Sequence, residues 1–211
     1  MSFKFKISAI IFSLVFVFCS TVAVYATSSF IDRNDEIRTA STESMAGTCY
    51  IFNKEHGHVM QIDDNRIDDY DFNGALVELW PYNNEIYQRW HIIEEEEGYY
   101  SIRHLETGRA LSVQSGKLNL GEQPFRLEDY EEGAERQQWF FDAQTDGSYI
   151  IRPRTSEYYS TDWCMSIGEG IFTIDGRNVE QWAYTDDDDY SDHWTIMYFA
   201  SGAMSVGDEN S

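Results

Sequence analysis

Two closely spaced histidines and several acidic segments are the residues of this sequence whose types and spacing could bind a metal. His56 and His58 flank a glycine, and side chains two residues apart in an extended segment lie on the same side, as a metal pair requires. No nearby cysteine or third histidine completes a ligand set, so we interpret both as surface histidines. The segment Asp69–Gly74 matches the first half of a calcium-loop pattern, but Trp80 stands where that loop needs a bidentate glutamate. We predict neither a metal nor a cofactor.

Motifs for enzymatic catalysis are missing. The sequence has no Gly-x-Ser-x-Gly nucleophile motif, no His-Glu-x-x-His zinc motif and no glycine-rich phosphate-binding loop. Carboxylates are so frequent that a pair of them selects no glycosidase site, and Cys164 has no identifiable partner base. We predict that the chain is not an enzyme, and an acidic glycosidase is the enzymatic alternative.

The charge balance disfavours one class of partners. The 211 residues include 15 lysines and arginines against 37 aspartates and glutamates, a formal net charge of -22. Such a field repels nucleic acids and anionic membrane surfaces and favours solubility. We interpret the aspartate run at 186–189 as a solvated loop and expect no nucleic-acid partner.

The N-terminus has the features of a secretion signal. Lys4 and Lys6 precede an apolar run over residues 7–22, and Val24 and Ala26 supply the small residues that signal peptidase requires. We predict that residues 1–26 are removed and that the protein is secreted. The run is also long enough to span a membrane, so an uncleaved anchor, as the one membrane contact, is the alternative.

Two cysteines, Cys49 and Cys164, lie beyond the predicted signal. In an oxidising compartment they could form a disulfide, and otherwise they would be small buried apolar residues. Two separated cysteines form neither a zinc knuckle nor a redox motif. The sequence does not show the distance between the two cysteines, so a disulfide and two buried free thiols both remain possible interpretations.

An internal repeat organises the rest of the chain. Residues 27–46 are polar and are predicted to form a flexible linker, and residues 200–211 a disordered tail. Between them, Trp90 and Trp139 are each followed by a glycine eight residues later, and the segments around them match at a shift of 49 over 14 positions. Trp194 lies 55 residues beyond Trp139 and marks a third copy.

Short strand patterns recur in each copy. Two sets of segments correspond between the copies: 59–62, 110–113 and 164–167, and then 77–82, 125–130 and 179–184. The turn dipeptides Asn73-Gly74 and Asp175-Gly176 precede the first and third members of the second set. Each unit of roughly four strands cannot bury its apolar face alone, whereas three can bury theirs together. We therefore predict an all-β, closed β-trefoil of three repeats over residues 47–199.

The end of each repeat resembles the Gln-x-Trp motif of the ricin B-type lectin family. The motif occurs as Gln88-Arg89-Trp90 and Gln137-Gln138-Trp139, and in degenerate form as Asp192-His193-Trp194. The family's Leu-Trp-Pro stretch is matched by Leu79-Trp80-Pro81. The resemblance covers residues 47–199 and implies a trefoil whose tryptophan indoles pack in a shared core, together with carbohydrate binding.

The resemblance also implies two candidate sugar sites. The aromatic platform of the family corresponds to Trp80 in the first repeat and Trp182 in the third, whereas Glu128 stands there in the second, where we predict no site. A sugar needs a flat ring and hydrogen-bonding groups for its hydroxyls. The expected partners of Trp80 are Glu78, Gln88, Gln61 and Asp64, and those of Trp182 are Glu180, Ser166 and Asp192. Alternatively, both tryptophans only cover neighbouring strands.

The function predicted from these residues is a secreted lectin-like module that recognises glycans by aromatic stacking and hydroxyl hydrogen bonds. The aspartate that binds galactose in the family is replaced by Gln61, Ser112 and Ser166. That absence motivates the alternative, a secreted protein-binding trefoil, such as an inhibitor or toxin component, that has lost sugar binding.

Overall fold

The computed structural model describes residues 29–31, 37–39, 45–63, 73–96, 98–168, 173–185 and 190–199. The predicted signal, the C-terminal tail, Asp64, most of the calcium-like segment and the aspartate run at 186–189 lie outside these residues. In the part of the chain that is described, no helix is long and apolar enough to cross a membrane.

The described residues form β-strands joined by turns and short 3-10 segments. The strands are β1 (Ser29–Ile31), β2 (Ile37–Thr39), β3 (Gly47–Asn53), β4 (Val59–Ile62), β5 (Val77–Trp80), β6 (Trp90–Glu96), β7 (Tyr99–His104), β8 (Ala110–Ser112), β9 (Gln123–Pro124), β10 (Arg126–Glu128), β11 (Trp139–Ala143), β12 (Tyr149–Pro153), β13 (Trp163–Ile167), β14 (Val179–Ala183) and β15 (His193–Tyr198). The 3-10 segments are Ile86–Gln88, Glu135–Gln137, Arg154–Tyr158 and Tyr190–Asp192.

Six strands close a barrel. The antiparallel ring runs β3, β6, β7, β11, β12, β15 and back to β3, so each repeat contributes its first and fourth strand. The registers repeat as well, because Trp90, Trp139 and Trp194 each pair with the last residue of the next repeat's first strand. Closure leaves the barrel strands without an exposed edge.

The second and third strands of each repeat form three hairpins that cover one end of the barrel. They are β4 with β5, β8 with β10, and β13 with β14, and the two-residue strand β9 adds to β14. The hairpins meet through backbone bonds from Val77 to Phe125 (3.3 Å) and from Phe125 to Val179 (3.0 Å), and all three side chains are fully buried. Twelve strands in three equivalent units form the predicted β-trefoil.

The core contains the three repeat tryptophans. Trp90, Trp139 and Trp194 are fully buried, and each indole N–H donates to a backbone carbonyl in the second strand of its own repeat. The acceptors are Met60 at 2.9 Å, Leu111 at 3.2 Å and Met165 at 2.9 Å. The expectation that these indoles pack together in the core is confirmed.

The N-terminal edge of the domain differs slightly from the predicted boundary at residue 47. Met45 packs in the core, and its carbonyl accepts a hydrogen bond of 2.6 Å from the Tyr198 hydroxyl. Strands β1 and β2 pair as a two-stranded ribbon inside the segment predicted as a linker. The packed domain therefore includes residue 45.

The two cysteines do not form the disulfide that the sequence left open. Cys49 lies in barrel strand β3 and Cys164 in hairpin strand β13, and both are free, fully buried thiols. Burial raises the pKa of Cys49 to about 12 and also raises the pKa of Cys164. Both thiols are therefore protonated and behave as small apolar core residues.

Candidate functional site

The fold places Trp80, Glu128 and Trp182 at equivalent positions, near the end of the third strand of each repeat. Trp80 ends β5 and is 38% exposed, Glu128 ends β10, and Trp182 lies in β14 and is partly buried. The backbone is similar at these three positions, so the surrounding side chains determine what each position can bind.

The first repeat brings its candidate residues together but turns them inward. Gln61 donates to the Glu78 carboxylate at 2.9 Å, and Gln88 donates to the Gln61 carbonyl at 3.1 Å. All three side chains are buried, so these polar groups satisfy one another below Trp80. These bonds are directed within the cluster, and the binding of sugar hydroxyls by these three residues stays a prediction.

Gln88 also fixes the loop that follows the third strand. Its amide donates to the Pro81 carbonyl at 2.9 Å, and its carbonyl accepts from the Asn83 backbone N–H at 3.0 Å. In the second repeat, Gln137 does the same with the Asp129 carbonyl (2.9 Å) and the Glu131 N–H (2.8 Å). The motif glutamine therefore holds this loop through two hydrogen bonds, because its amide N–H donates to one loop carbonyl and its amide oxygen accepts from one loop N–H. Sequence reasoning missed this role.

The Trp80 indole has a neighbour from another repeat. A Cβ atom added at Gly176 would lie 3.9 Å from its Cζ3 atom, so the third-repeat turn passes beside the ring. In the same region, His58 Nε2 lies 2.8 Å from the Asp175 carboxylate. The Trp80 indole therefore packs in part against the third-repeat turn. This contact agrees with the alternative interpretation that the tryptophan covers neighbouring parts of the fold.

The two histidines considered for metal binding face different partners. His58 contacts Asp175, whereas His56 lies 3.4 Å from the Glu55 carboxylate. Within the described ranges, no group of three histidine, cysteine, aspartate or glutamate side chains is arranged to hold a metal ion.

The second repeat fills its equivalent position with ion pairs. Arg136 binds the carboxylate of Glu128 and lies 3.2 Å from that of Glu131. The Arg103 guanidinium lies 3.4 Å from the centre of the Tyr130 ring and covers one face of it. The depression beside these residues, about 480 Å³, presents charged pairs in place of an aromatic platform.

The third repeat has an open cleft. Its volume is about 280 Å³, and its lining includes Trp182, Ser166, Ser191, Asp192 and, from the first repeat, Glu55. The hydroxyl oxygens of Ser166 and Ser191 lie 3.3 Å apart. The structure thus brings together three of the four residues expected in this repeat and adds Ser191 and Glu55, which were not among the expected site residues.

Glu180 is the expected residue that lies elsewhere. It is buried, and a Cβ atom added at Gly168 would lie 3.0 Å from its carboxyl carbon. Its side chain is therefore packed under the Gly168 backbone and does not line the cleft. Its contact with a ligand stays a prediction that the lining of this cleft does not support.

Two exchanges of side chain explain why the third repeat has a cleft where the first has a closed network. Ser166 replaces Gln61, and Asp192 replaces Gln88, so both side chains are shorter at the same positions of the fold. The shorter groups leave space beside Trp182 that the first repeat fills with amides.

The floor of the cleft adjoins a second polar cluster. His193 Nε2 lies 3.8 Å from the Asp192 carboxylate, and His193 Nδ1 lies 2.8 Å from the Ser148 hydroxyl. Burial lowers the pKa of His193, the Lys54 charge lowers it further, and Asp146 opposes both. His193 is therefore neutral at pH 7 and contributes no counter-charge to Asp192.

The cleft also carries one guanidinium. Arg177 belongs to its lining and donates through Nε to the Thr173 carbonyl at 2.7 Å. With Glu55 and Asp192, the lining therefore has two carboxylates and one permanent positive charge. Hydroxyl groups and an indole complete a surface suited to a polar ligand with an apolar face.

Comparison with known proteins supports the fold and shows a similarity to one family. Residues 37–127 match the family described as ricin-type beta-trefoil lectin domain-like, which covers the first repeat and the second repeat up to β10. No curated protein matches the sequence.

Three solved structures show the shared fold. A designed three-fold symmetric protein, ThreeFoil, has a TM-score of 0.60 and 23% identity over 72% of this chain and 99% of its own. An exo-beta-1,3-galactanase from Clostridium thermocellum has a TM-score of 0.58 and 23% identity, over 78% of this chain and 32% of that enzyme chain. A Polyporus squamosus lectin, bound to a sialylated epitope, has a TM-score of 0.57 and 14% identity, over 73% of this chain and 49% of its own. The family match and the three-fold architecture together show that the chain is similar to ricin-type β-trefoil lectin domains.

Proposed function

We propose that this protein is a secreted glycan-binding module whose sugar site is the third-repeat cleft. The observation that carries the proposal is the shared lining of one cleft by the Trp182 indole and the oxygens of Ser166, Ser191 and Asp192. Its volume, about 280 Å³, is at the small end of ligand pockets and suits one sugar ring.

The proposed mechanism uses both kinds of group. The C–H face of the sugar stacks on the Trp182 indole, which excludes water from that side of the ring. Hydroxyl groups of the sugar donate to the Asp192 carboxylate and exchange hydrogen bonds with the two serines. Bonds to a carboxylate are the stronger kind, so they fix the orientation of the ring.

Because the other two repeats use the equivalent side chains among themselves, we expect one sugar site per chain. The first repeat uses its amides in a buried network, and the second pairs Glu128 with Arg136. A single shallow site implies weak affinity for one sugar, and strong attachment then requires several copies on one surface. We expect a binding stoichiometry of one glycan per chain.

A glycan array probed with the purified full chain tests this function. Titration calorimetry with the best ligand follows, in wild type and in Trp182→Ala. We expect the substitution to weaken binding by roughly tenfold or more, because stacking and water exclusion are lost. Folded wild-type protein that binds no glycan would contradict the proposal.

Two control substitutions locate the site. Trp80→Ala removes the exposed indole of the first repeat, and Tyr158→Ala removes a ring that is 61% exposed and far from both tryptophan positions in sequence. Both variants should retain wild-type affinity. Loss of binding in Trp80→Ala with full binding in Trp182→Ala would place the site in the first repeat and refute its assignment to the third.

Secretion is the second part of the proposal, and the pattern of residues 1–26 supports it. We expect expression in a secreting host to release a protein whose N-terminal residue is Thr27, as read by mass spectrometry. Protein retained in the membrane at full length would show instead that the segment is an anchor.

A protein partner is the second candidate function, and the exposed aromatic surface of the first repeat favours it. Tyr82 is 50% exposed beside Trp80, and its ring centre lies 5.0 Å from that of Tyr50. Aromatic side chains of this kind are enriched at protein interfaces. This function would be supported by a protein partner that no longer binds the double variant Trp80→Ala with Tyr82→Ala but still binds Trp182→Ala.

A further inference from the structure

We infer that the outer barrel wall around β3 is a docking surface for a protein segment that presents an arginine between apolar side chains. This tyrosine patch consists of the Tyr82 and Phe52 rings and the Met197 side chain, with the buried Tyr50 ring packed beside them. The inference gives the second candidate function a surface and a partner chemistry. It does not depend on the glycan site in the third-repeat cleft.

The three repeats place a tyrosine at the same point, two residues after the platform position, namely Tyr82, Tyr130 and Tyr184. The Arg103 guanidinium lies 3.4 Å from the centre of the Tyr130 ring, and the Arg152 guanidinium lies 4.8 Å from that of Tyr184. Both of these tyrosines are partly buried, whereas Tyr82 is 50% exposed. In the second and third repeats, the ring is therefore covered by a cation from the protein itself.

The position of these arginines holds a phenylalanine in the first repeat. Arg103, Arg152 and Phe52 each pair, across the barrel, with the residue that follows a repeat tryptophan. The Phe52 ring centre lies 5.9 Å from that of Tyr82, with the two rings tilted by 46°. The first repeat thus keeps the tyrosine but places an uncharged ring beside it.

The carboxylate that holds the arginine is exchanged as well. Arg152 donates to the Asp142 carboxylate at 2.8 Å, and Asp142 lies three residues after its repeat tryptophan. The residue three after the next repeat tryptophan is Met197, which pairs with Tyr50 on the barrel wall and is 55% exposed. Both members of an ion pair have therefore become apolar at the equivalent place. Exposed methionine and aromatic side chains are enriched at protein interfaces.

A partner's arginine fits this surface for two reasons. Its guanidinium can stack on the exposed Tyr82 ring, as the other two tyrosines stack with arginines of this chain, and its aliphatic stem can lie along Phe52 and Met197. The net charge of -22 attracts a basic partner and repels a second copy of the chain. The charge of the chain and the chemistry of the patch therefore favour the same occupant.

The hydroxyl side of the patch is engaged within the protein. The Tyr50 hydroxyl donates to the Asn84 side-chain oxygen at 2.6 Å, and Arg89, at the same edge, donates to the Asn84 carbonyl at 3.0 Å. A partner therefore meets ring faces and a thioether in place of free hydrogen-bonding groups. Such a surface suits the flat, weakly hydrated guanidinium better than the strongly hydrated ammonium of lysine.

The test transplants the ion pair of the third repeat into the first. Phe52→Arg with Met197→Asp copies Arg152 and Asp142, so the new guanidinium should cover Tyr82 from within and take the place of the partner's arginine. A displayed library of random short peptides is selected on the purified wild-type chain and counter-selected on this double variant. We expect the enriched peptides to contain an arginine flanked by apolar residues.

Substitutions in the best peptide and in the patch then measure the contribution of the cation. Replacing the peptide's arginine by citrulline, which is neutral and nearly the same shape, should weaken binding to wild type by roughly 3- to 10-fold in fluorescence anisotropy. Tyr82→Leu should weaken binding of the arginine peptide similarly, which keeps the test informative if the double variant folds poorly. The matched control is Tyr158→Ala, which removes another exposed ring and should leave the affinity unchanged.

Several results would overturn the inference. They are enrichment of peptides without arginine, no enrichment over the double variant, and equal binding of the arginine and citrulline peptides. A dimer that forms in wild type but not in the double variant, in sedimentation velocity, would identify a second copy as the occupant and overturn it as well. Glycan affinity should be equal in wild type and the double variant, and its loss in the variant would place a sugar on the patch instead. A wild-type chain that binds peptide but no glycan would refute the glycan function alone.

Discussion

The backbone N–H of Glu122 donates to the carbonyl of Gln181 over 2.9 Å, and this bond joins the turn before β9 to the third-repeat hairpin. Gly74 and Gly176 make the same contact with the equivalent residues of their neighbouring hairpins, over 2.6 and 2.8 Å. All three donors have a positive φ angle, 57° at Glu122, 78° at Gly74 and 77° at Gly176. The turn of the second repeat therefore has a backbone geometry that favours glycine, although Glu122 occupies the position.

Glu122→Gly should consequently stabilise the protein. Removing the side chain relieves the crowding between Cβ and backbone in the left-handed region, so we expect the free energy of unfolding to rise by about 1 kcal/mol. Urea denaturation at pH 7 measures the change. The reverse substitution is Gly74→Ala, whose new Cβ would meet no atom within 4 Å, so only the φ of 78° opposes it. A decrease in stability for Glu122→Gly would contradict the explanation.

The indole hydrogen bond of Trp194 gives a second prediction. Trp194→Phe leaves the buried Met165 carbonyl without its indole donor and opens a cavity in the core. We expect the free energy of unfolding to fall by about 2–4 kcal/mol, measured by urea denaturation. The corresponding change at Trp90 should cost a similar amount, because the contact is repeated there. Trp80→Phe, at an exposed ring, should change stability by less than about 0.5 kcal/mol.

The fold was predictable from the sequence because its signals are local and repeated. A tryptophan that recurs three times, and that a glycine turn follows in two copies, marks the fourth strand of each unit, and three such units can bury their apolar faces around a shared core. Trp90, Trp139 and Trp194 all lie where the motif predicts. The domain boundary at Met45 was less predictable, since its contact with Tyr198 joins the two ends of the packed domain, which are far apart in sequence.

The site was predictable only in part, because strand periodicity tells which side of a strand a residue occupies but not which partner it finds. Gln61 and Glu78 face each other across β4 and β5, so they form a hydrogen bond between themselves that strand periodicity alone does not reveal. Glu55 reaches the third-repeat cleft from a turn of the first repeat, a proximity that exists only after barrel closure. Asp192 could be recognised as a motif change, but its access to a cleft depends on the shorter Ser166 opposite.

The pH dependence of stability should carry a contribution from His104. The ring is fully buried, Nε2–H donates to the Ile86 carbonyl at 3.1 Å, and Nδ1 accepts from the Thr107 hydroxyl at 3.1 Å. Burial lowers the pKa of His104, and the Ile86 carbonyl and the Glu106 charge only partly oppose this. Below the ordinary histidine pKa of about 6.5 the unfolded chain therefore binds a proton that the folded protein resists. Stability is fully present above that pH and falls as the pH drops below it.

His104→Asn tests this contribution with a residue that the fold already uses. Asn53 is the equivalent residue of the first repeat, where its side-chain amide donates to the Ser191 carbonyl at 2.8 Å. We expect the variant to lose less unfolding free energy than wild type between pH 7 and 5, measured by urea denaturation at each pH. His193, whose pKa is also lowered, should supply part of the loss that remains. Equal losses in variant and wild type would show that His104 does not titrate as its burial implies.

Charge should decide between related glycans at the third-repeat cleft. The chain has a net charge of -22, and Glu55 and Asp192 place two carboxylates in the lining against the single guanidinium of Arg177. We expect a neutral oligosaccharide to bind more tightly than the same oligosaccharide extended by sialic acid, because the added carboxylate is repelled. The difference should shrink when ionic strength is raised from about 0.01 M to about 1 M, where the screening length falls from roughly 30 Å to 3 Å. Titration calorimetry with the two ligands measures this difference in affinity.

Glu55→Gln should reduce the difference in affinity between the two ligands, while the affinity for the neutral ligand stays nearly unchanged. Preference for the sialylated ligand at low salt would instead show that Arg177 controls recognition.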